Sequence, residues 1–346
     1  MSLIYPPKPR PGDRVAVVSP GSGLPGILPL PYERGLRRLR EEFELEPVEY
    51  PTTRKMGSTP AERAADLHAA FSDDSIAAVI ASIGGDDQIT VLKHLDAELL
   101  RANPKPFMGY SDNTNVLAFL SSLGIVGYHG PAIMTDFGRG GAMHPLTVDS
   151  ARAALFTSGD YRLAAPDGFT DIDRDWNDPA NLETEPPMMD AHGWRWHHPS
   201  SVVTGRSWGG CLEIVAWLLA SDRCVPTLDE LDGAVLFFET SEELPPAEEV
   251  YRTLRCVGER GILGRCGALL MGRPKAWNFE HPNDDRQRAA HVTAQREAVL
   301  RAMGEYAPDT AIVLDVDFGH TDPMVTVPYG GQVTVDGPAR SITVRY

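Results

Sequence analysis

Residues 105–120, Lys-Pro-Phe-Met-Gly-Tyr-Ser-Asp-Asn-Thr-Asn-Val-Leu-Ala-Phe-Leu, predict a short buried strand that turns directly into a helix. Gly109 permits a tight backbone at the turn. A serine at such a junction, here Ser111, can be exposed and held rigidly beside the unpaired N–H groups of the helix start. Those are the needs of a nucleophile. Helix capping by Ser111 or Asp112 accounts for the same local pattern, however, and caps are commoner.

The rest of the first half alternates strand-like and helix-like segments around this unit. Strands that are apolar throughout and alternate with helices imply a parallel sheet covered on both faces. We therefore predict a doubly wound α/β fold. The predicted strands are residues 14–19, 46–50, 76–83, 107–108 and 125–128, and the predicted helices are residues 32–43, 60–71, 91–100 and 113–120.

The second half follows an irregular stretch, residues 160–201, that is rich in Pro, Asp and Asn. Its pattern is mixed α/β. We predict an N-terminal domain over 1–165, a linker and substrate loop over 166–200, and a mixed α/β domain over 201–346. The predicted helices are residues 209–220, 246–260 and 284–303, and the predicted strands are residues 234–238, 268–271, 311–316, 325–327, 332–335 and 341–345.

Composition narrows the possible partners. The chain has 346 residues and a net charge of −16, which argues against nucleic-acid binding, since that needs a basic surface. No apolar run is long enough for a membrane span, and the first residues lack a signal-peptide core. The four cysteines form no CxxC pair, which favours a reducing cytoplasm. The Asp86-Asp87 pair has no matching ligands nearby in sequence, so we predict no metal and no cofactor.

Several polar residues fall where predicted strands end, which is where open parallel sheets bind ligands. Gly84 and Gly85 follow one apolar strand, Glu239 follows another, and His320 lies beyond a third. Serine, histidine and a carboxylate supply a nucleophile, a general base and an orienting group when they meet in space. Each has a plainer explanation by itself: a strand-to-helix turn, a solvated acidic loop and an incidental loop histidine.

Other residues are weaker candidates for substrate contact. Trp194 and Trp196 could form a lid that stacks on a substrate, or they could anchor the linker to the body. Arg273 and Lys275 could receive a substrate carboxylate, or they could belong to a simple helix-start turn. His129 follows a predicted strand and could form part of a site wall.

Six short motifs occur in the order found in one known family and extend over nearly the whole chain. On these motifs the chain resembles peptidase family S66, the serine peptidases that include L,D-carboxypeptidases and microcin C self-immunity peptidases. The motifs lie at residues 83–85, 105–112, 128–132, 209–212, 236–239 and 315–323.

The resemblance implies a cytoplasmic hydrolase with a Ser–His–Glu triad and no metal or organic cofactor. Ser111 would be the nucleophile, Glu239 the carboxylate and His320 the general base. The backbone N–H groups of Gly85 and Asp112 would form the oxyanion hole. The family pairs a Rossmann-like N-terminal domain with a mixed C-terminal domain, usually as a homodimer, and the site lies between the domains.

The loops suggest one branch of the family. Residues 321–330, which follow His320, look like the microcin-immunity branch. The loop that contains Gly84 and Asp86 differs from that of murein-recycling members. We predict that Gly84 and Asp86 contact the substrate. The microcin-immunity branch cleaves an amide between an acidic aminoacyl group and a nucleotide-like phosphoramidate. Two alternatives stay open: an L,D-carboxypeptidase that releases D-Ala from murein tetrapeptides, and a non-catalytic nucleotide-binding module.

Overall fold

Two large β-sheets organise the fold in the computed structural model, which describes residues 3–346. A third sheet has two short strands. The strands are β1 (Arg14–Val18), β2 (Glu46–Glu49), β3 (Ile76–Ala81), β4 (Phe107–Gly109), β5 (Gly127–His129), β6 (Asp160–Arg162), β7 (Gly168–Phe169), β8 (Met189–Asp190), β9 (Arg195–His197), β10 (Val202–Cys211), β11 (Val235–Glu239), β12 (Ala268–Gly272), β13 (Ala311–Val316), β14 (Val327–Tyr329), β15 (Gln332–Asp336) and β16 (Ser341–Arg345).

Helices connect and cover these strands. Short 3₁₀ turns add to them, and a π-helical turn lies at Ile133–Phe137. The α-helices are α1 (Pro29–Glu41), α2 (Pro60–Ser72), α3 (Ala97–Ala102), α4 (Thr114–Ser122), α5 (Pro145–Phe156), α6 (Pro179–Glu183), α7 (Leu212–Ser221), α8 (Ala247–Glu259) and α9 (Asp285–Tyr306).

The first sheet has the strand order β14-β5-β4-β3-β1-β2. Strands β1 to β5 pair in parallel, and β14 adds an antiparallel edge. Nearly every side chain of β1 and β3 is buried, because helices cover both faces of the sheet. The predicted parallel α/β sheet is confirmed.

The second sheet has the order β6-β16-β15-β10-β11-β12-β13-β9 and mixes strand directions. Its centre, β10 to β13, is parallel, and the flanking strands are antiparallel. Strand β10 changes partner along its length: residues 202–206 pair with β15, and residues 207–211 pair with β11. The predicted mixed architecture of the second half is confirmed.

Strand β10 corrects one sequence prediction. The helix predicted over 209–220 begins at Leu212, because the Gly209-Gly210 pair lies in the strand. Gly209 has a φ of 153°, and a Cβ there would overlap the carbonyl oxygen of Phe237 on the neighbouring strand. The two glycines therefore mark a close approach between backbones, and helix initiation occurs after them.

The helix predicted over 91–100 is also wrong. The chain forms two 3₁₀ turns, Gln88–Thr90 and Leu92–His94, followed by the short helix α3. The backbone is extended at Leu95, and the Asp96 carboxylate accepts the N–H groups of the next turn. Asp96 thus caps a new helix in the middle of the apolar pattern.

The strand predicted over 325–327 is displaced to β14 and belongs to the first sheet. Residues 325 and 326 do not pair with a strand. The N–H of Val325 donates to the carbonyl of Asp317, and the N–H of Thr326 donates to Ser150 Oγ. The irregular stretch 160–201 contains β6 to β9 and α6. Strand β14, from the second half of the chain, lies at the edge of the first sheet, and β6, from the predicted N-terminal domain, lies in the second sheet. The division of the chain into three parts stays a prediction.

The glycines of β10 give a testable contrast with a helical glycine. We expect Gly209→Ala to destabilise the protein by roughly 3 kcal/mol or more, because a methyl group there meets backbone and the φ is unfavourable for alanine. Gly304 lies in α9 with open space around it, so Gly304→Ala should stabilise by about 0.5–1 kcal/mol. Urea unfolding of both variants checks the opposite signs, and equal effects would contradict this account.

Candidate active site

Ser111 lies at the end of β4, where the chain turns into a 3₁₀ turn over Ser111–Asn113 and then into α4. Its φ is 60°, a left-handed conformation that costs about 1–3 kcal/mol for a residue with a side chain. The surrounding structure must hold this strain. The Asn113 side-chain amide donates to the carbonyls of Ile83 and Tyr110, which fixes the turn.

The glycine loop lies directly against Ser111. A Cβ on Gly84 would lie 2.9 Å from Ser111 Oγ, and a Cβ on Gly85 would lie 2.8 Å from the carbonyl carbon of Gly21 and 3.1 Å from Asp112 Oδ2. No side chain fits at either position without displacing its neighbours. Glycine therefore brings the loop backbone next to the serine.

Asp112 is fully buried behind this loop. Its carboxylate accepts hydrogen bonds from the backbone N–H of Gln88 at 3.0 Å and from Asn115 Nδ2 at 2.8 Å. Burial raises the pKa of Asp112 to about 7, against the opposing effect of the Gln88 hydrogen bond. The Asp112 carboxylate therefore binds protein groups and is shielded from solvent. The backbone N–H of Asp112 lies at the start of the helical turn.

His320 and Glu239 are in direct contact. His320 Nδ1 lies 2.6 Å from Glu239 Oε2, and the glutamate is buried at the end of β11. Two glycines make room for it: a Cβ would lie 2.6 Å from Glu239 Cβ at Gly272 and 2.5 Å from Oε2 at Gly319, whose φ is 99°. A buried carboxylate on Nδ1 fixes the orientation and tautomer of an imidazole.

A second carboxylate, which the sequence analysis did not identify, contacts the other ring nitrogen. His320 Nε2 lies 3.0 Å from Glu242 Oε2. Burial lowers the pKa of His320, but the charges of Glu239 and Glu242 outweigh burial and hold that pKa well above its usual value. The only signal in the sequence was that Glu242 belongs to the acidic run after β11.

His129 lies behind the pair. It is fully buried, its Nε2 is 4.0 Å from Glu239 Oε1, and its ring packs edge-on against Tyr110 and Phe237. Burial lowers the pKa of His129 to about 4, so the ring is neutral near pH 7. It is a wall of the Glu239 site, as the sequence allowed.

A cavity of about 650 Å³ opens in front of these groups. It lies between the two sheets and is closed on one side by the segment 170–186. The structure thus brings together residues that lie far apart in sequence. The predicted site residues that line the cavity are Gly84, Gly85, Asp86, Ser111, Lys275 and His320. The Lys275 ammonium is 2.6 Å from Asp173 Oδ1 and donates to the carbonyl of Asp171 at 2.9 Å.

Three other candidates lie away from the cavity wall. Trp194 Nε1 donates to Asp317 Oδ2 at 2.8 Å, and Arg273 Nε donates to Asp317 Oδ1 at 3.0 Å. Trp196 lies in β9 at the edge of the second sheet. These three side chains anchor the linker and the end of β13, whereas Trp176 of the same irregular stretch lines the cavity. The sequence analysis named Trp194 and Trp196 as candidates and left out Trp176, because no pattern in residues 160–201 indicates which indole faces a cavity.

Residues 3–346 contain neither a cluster of metal ligands nor a membrane-spanning helix. No group of three or more His, Cys, Asp or Glu side chains is arranged to hold a metal ion. No helix in that part of the chain combines the length and the apolar character needed to cross a bilayer.

Comparison with known proteins identifies the family of this chain. Residues 15–130 match the LD-carboxypeptidase N-terminal domain of peptidase family S66, and residues 204–335 match its C-terminal domain. The "Probable murein peptide carboxypeptidase" of Bacillus subtilis is 35% identical over 293 residues, covering 82% of this chain and 76% of that protein. The microcin C7 self-immunity protein MccF of Escherichia coli is 27% identical over 288 residues, covering 82% of this chain and 78% of that protein.

The fold also matches a solved structure of MccF in complex with aspartyl sulfamoyl adenosine. The TM-score is 0.85 at 22% identity, over 99% of this chain and 98% of the other. The fold is that of an α/β protein with the MccF architecture. The chain belongs to peptidase family S66, and this membership supports a hydrolase.

The buried Asp112 gives a pH-dependent prediction. Burial raises the pKa of this carboxyl in the folded state from its usual 3.8 to about 7, so the native state keeps a proton that the unfolded state releases. The free energy of unfolding should therefore fall as pH rises through that window. Asp112→Asn should remove on the order of 2–4 kcal/mol of this pH dependence.

Urea unfolding at about pH 4.5 and about pH 7.5 measures the effect. Asp309→Asn, at an exposed position, is the matched control and should keep the wild-type dependence. An equal change in the free energy of unfolding between the two pH values for wild type and Asp112→Asn would show that the Asp112 carboxyl is not the source of the pH dependence.

Proposed function

We propose that this protein is a serine-type amidohydrolase of the microcin C self-immunity kind, with Ser111, His320 and Glu239 as its triad. The observation that carries the proposal is the shared cavity. Ser111 lines it from the first sheet, and His320 lines it from the second with Nδ1 at 2.6 Å from Glu239. Ser111 and His320, which are 209 positions apart in sequence, thus line one space, and Glu239 contacts His320 from behind the cavity wall.

The triad would work by proton transfer through His320. As Ser111 Oγ attacks the amide carbonyl carbon, its proton passes to His320 Nε2. Glu239 orients the imidazole and stabilises its charged form. His320 then protonates the leaving nitrogen as the C–N bond breaks. Water, deprotonated by His320, finally attacks the acyl-enzyme, which releases the acid and restores Ser111.

Backbone groups near the strand-to-helix turn would stabilise the negative charge that develops on the carbonyl oxygen of the amide. The backbone N–H groups of Gly85 and Asp112 are the proposed oxyanion donors, and one such donor typically contributes about 3–4 kcal/mol. The absence of side chains at Gly84 and Gly85 lets the loop approach Ser111, as the contacts above require. The N-terminal end of α4 adds a positive dipole at the same place.

The proposed substrate is an amide between an aminoacyl group and a nucleotide-like phosphoramidate. Support comes from the fold shared with MccF, whose structures include a complex with aspartyl sulfamoyl adenosine, and from a cavity of about 650 Å³. Trp176 lies in the cavity wall, and an indole there supplies an aromatic surface for a nucleobase. Gly84, Asp86 and Lys275 line the same space and stay in the proposed binding set. A homodimer and a cytoplasmic location stay predictions.

An L,D-carboxypeptidase acting on murein peptides is the second candidate. It is favoured by the 35% identity with the Bacillus subtilis protein named for that activity. The same triad and oxyanion donors would serve, since the reaction also opens an amide. The two candidates differ in the group that occupies the cavity beyond the cleaved bond.

Ser111→Ala tests the nucleophile. We expect turnover to fall by roughly 10⁴-fold or more, since the proposed covalent step has no other attacking group. Hydrolysis of an aminoacyl-sulfamoyl adenosine and of a murein tetrapeptide, measured side by side, gives the readout and ranks the two candidates. Ser122→Ala, at the far end of α4, is the matched control. Unchanged turnover by folded Ser111→Ala protein would sink the serine mechanism.

Glu239→Gln tests the orienting carboxylate. An amide at this position removes the negative charge from Nδ1 and can hold the wrong tautomer, so kcat should fall by roughly 10³–10⁴-fold. Circular dichroism should show an unchanged fold. Glu248→Gln, on the exposed face of α8, should retain wild-type kcat. A variant at position 239 with nearly normal kcat would remove Glu239 from the mechanism.

A further inference from the structure

The charge of the cavity wall is strongly negative. The wall contains eight Asp or Glu side chains against three Arg or Lys side chains. Charges in a concave, partly buried space act on one another more strongly than on an open surface. The balance of charge therefore bears directly on which substrate the proposed hydrolase accepts.

The positive side chains of the wall are already engaged. Arg139 Nε lies 2.7 Å from Asp322 Oδ2, and a second nitrogen of Arg139 contacts Glu185. Lys275 is 2.6 Å from Asp173. A cation that is already paired in this way is a weak receiver for a substrate carboxylate, because binding would break the existing pair.

Arg174, the third basic side chain of the wall, is also occupied. It donates to Asn181 Oδ1 at 2.9 Å and to Thr184 Oγ1 at 2.7 Å. These bonds hold the guanidinium within the segment 170–186. All three cations thus stabilise the wall that contains them.

Several carboxylates of the wall have no such partner. Within residues 3–346, no Lys or Arg forms an ion pair with Asp86, Asp136, Asp175, Glu242 or Glu243. Asp136 is hydrogen-bonded to Thr135 Oγ1 and the Ala132 N–H, which orders it without neutralising it. An acidic side chain bound here would face the uncompensated negative charges of Asp86, Asp136, Asp175 and Glu243, which weakens its binding.

Glu242 provides the second, independent observation. Its Oε2 is 3.0 Å from His320 Nε2, the nitrogen that must accept the proton of Ser111 in the proposed reaction. While Nε2 donates to Glu242, it has no lone pair for that proton. In this arrangement the carboxylate already holds a cation, the protonated imidazole, next to the reacting centre.

The Glu242 side chain can leave His320 without a movement of the loop backbone. That backbone is tied down: Ser241 donates twice to Glu213 Oε1, at 2.9 and 2.7 Å, and Asn278 Nδ2 donates to the Glu242 carbonyl at 2.8 Å. The Glu242 side chain itself is 57% exposed. A rotamer change is therefore enough to pass the carboxylate from His320 to another cation.

We infer that the cavity selects acyl groups with a cationic side chain, which takes Glu242 away from His320 and so frees Nε2 for Ser111. This inference rests on the proposed amidohydrolase function and replaces the acidic aminoacyl group expected from the family resemblance. Glu243 and Asp86 line the same cavity and add to the attraction for a cation. An acidic acyl group would leave the Glu242–His320 contact in place.

Three matched ligands test the inference: lysyl-, norleucyl- and glutamyl-sulfamoyl adenosine, which differ in side-chain charge. With Ser111→Ala protein in a calorimeter, the lysyl ligand should bind at least roughly tenfold more tightly than the norleucyl ligand, and the glutamyl ligand should bind most weakly. The preference should shrink as salt is added. Wild-type kcat/KM should follow the same order.

Variants locate the effect. Glu243→Gln and Asp86→Asn should each reduce the lysyl preference several-fold. Glu242→Gln should raise kcat/KM for the norleucyl compound, which cannot displace the carboxylate, and should reduce the lysyl-to-norleucyl ratio. Glu248→Gln, outside the cavity, should leave all three ligands unchanged.

The outcomes distinguish a failure of the cationic selection from a failure of the amidohydrolase function. Tighter binding or faster cleavage of the glutamyl compound, or equal results for all three, would overturn the cationic selection and leave the amidohydrolase intact. Failure of wild-type protein to bind or cleave any of the three would instead remove the proposed aminoacyl-nucleotide function.

Discussion

The contact between Thr114 and Cys211 is the constraint on which the site depends. Thr114 Oγ1 accepts the N–H of Cys211 at 3.1 Å, and Gly210 leaves no space for a Cβ against the same threonine. Thr114 begins the helix three residues after Ser111, and Cys211 is the register partner of Glu239 in the second sheet. One hydrogen bond and one glycine thus couple the serine turn of one sheet to the carboxylate strand of the other.

Burial decides what each ionisable group near this junction can do. Glu239 is enclosed between glycines and the neutral His129, and it directs its charge at one imidazole nitrogen. Glu242 is exposed on the cavity side and contacts the other nitrogen. The inner carboxylate is therefore fixed, whereas the outer one can exchange partners. This asymmetry connects the proposed proton transfer with the charge of the substrate.

The elements that the sequence predicted well are those with one dominant signal. The apolar strands β3, β11 and β13 are buried on both faces and were found at nearly the observed bounds. Strand β10 was missed because half of it is exposed and half contains Gly209-Gly210, so it shows neither alternation nor an apolar run. The helix predicted over 91–100 failed because Asp96 caps a new helix within an apolar pattern.

By itself the sequence determined that Ser111, Glu239 and His320 stand at strand ends, since a strand end and its following polar residue are local features. The tertiary structure alone decided which groups meet. In the folded chain His320 contacts both Glu239 and Glu242. Trp176 lines the cavity, whereas Trp194 and Trp196 do not, and Arg273 binds Asp317. These outcomes depend on how two sheets pack across an interface, and no spacing within one segment encodes that geometry.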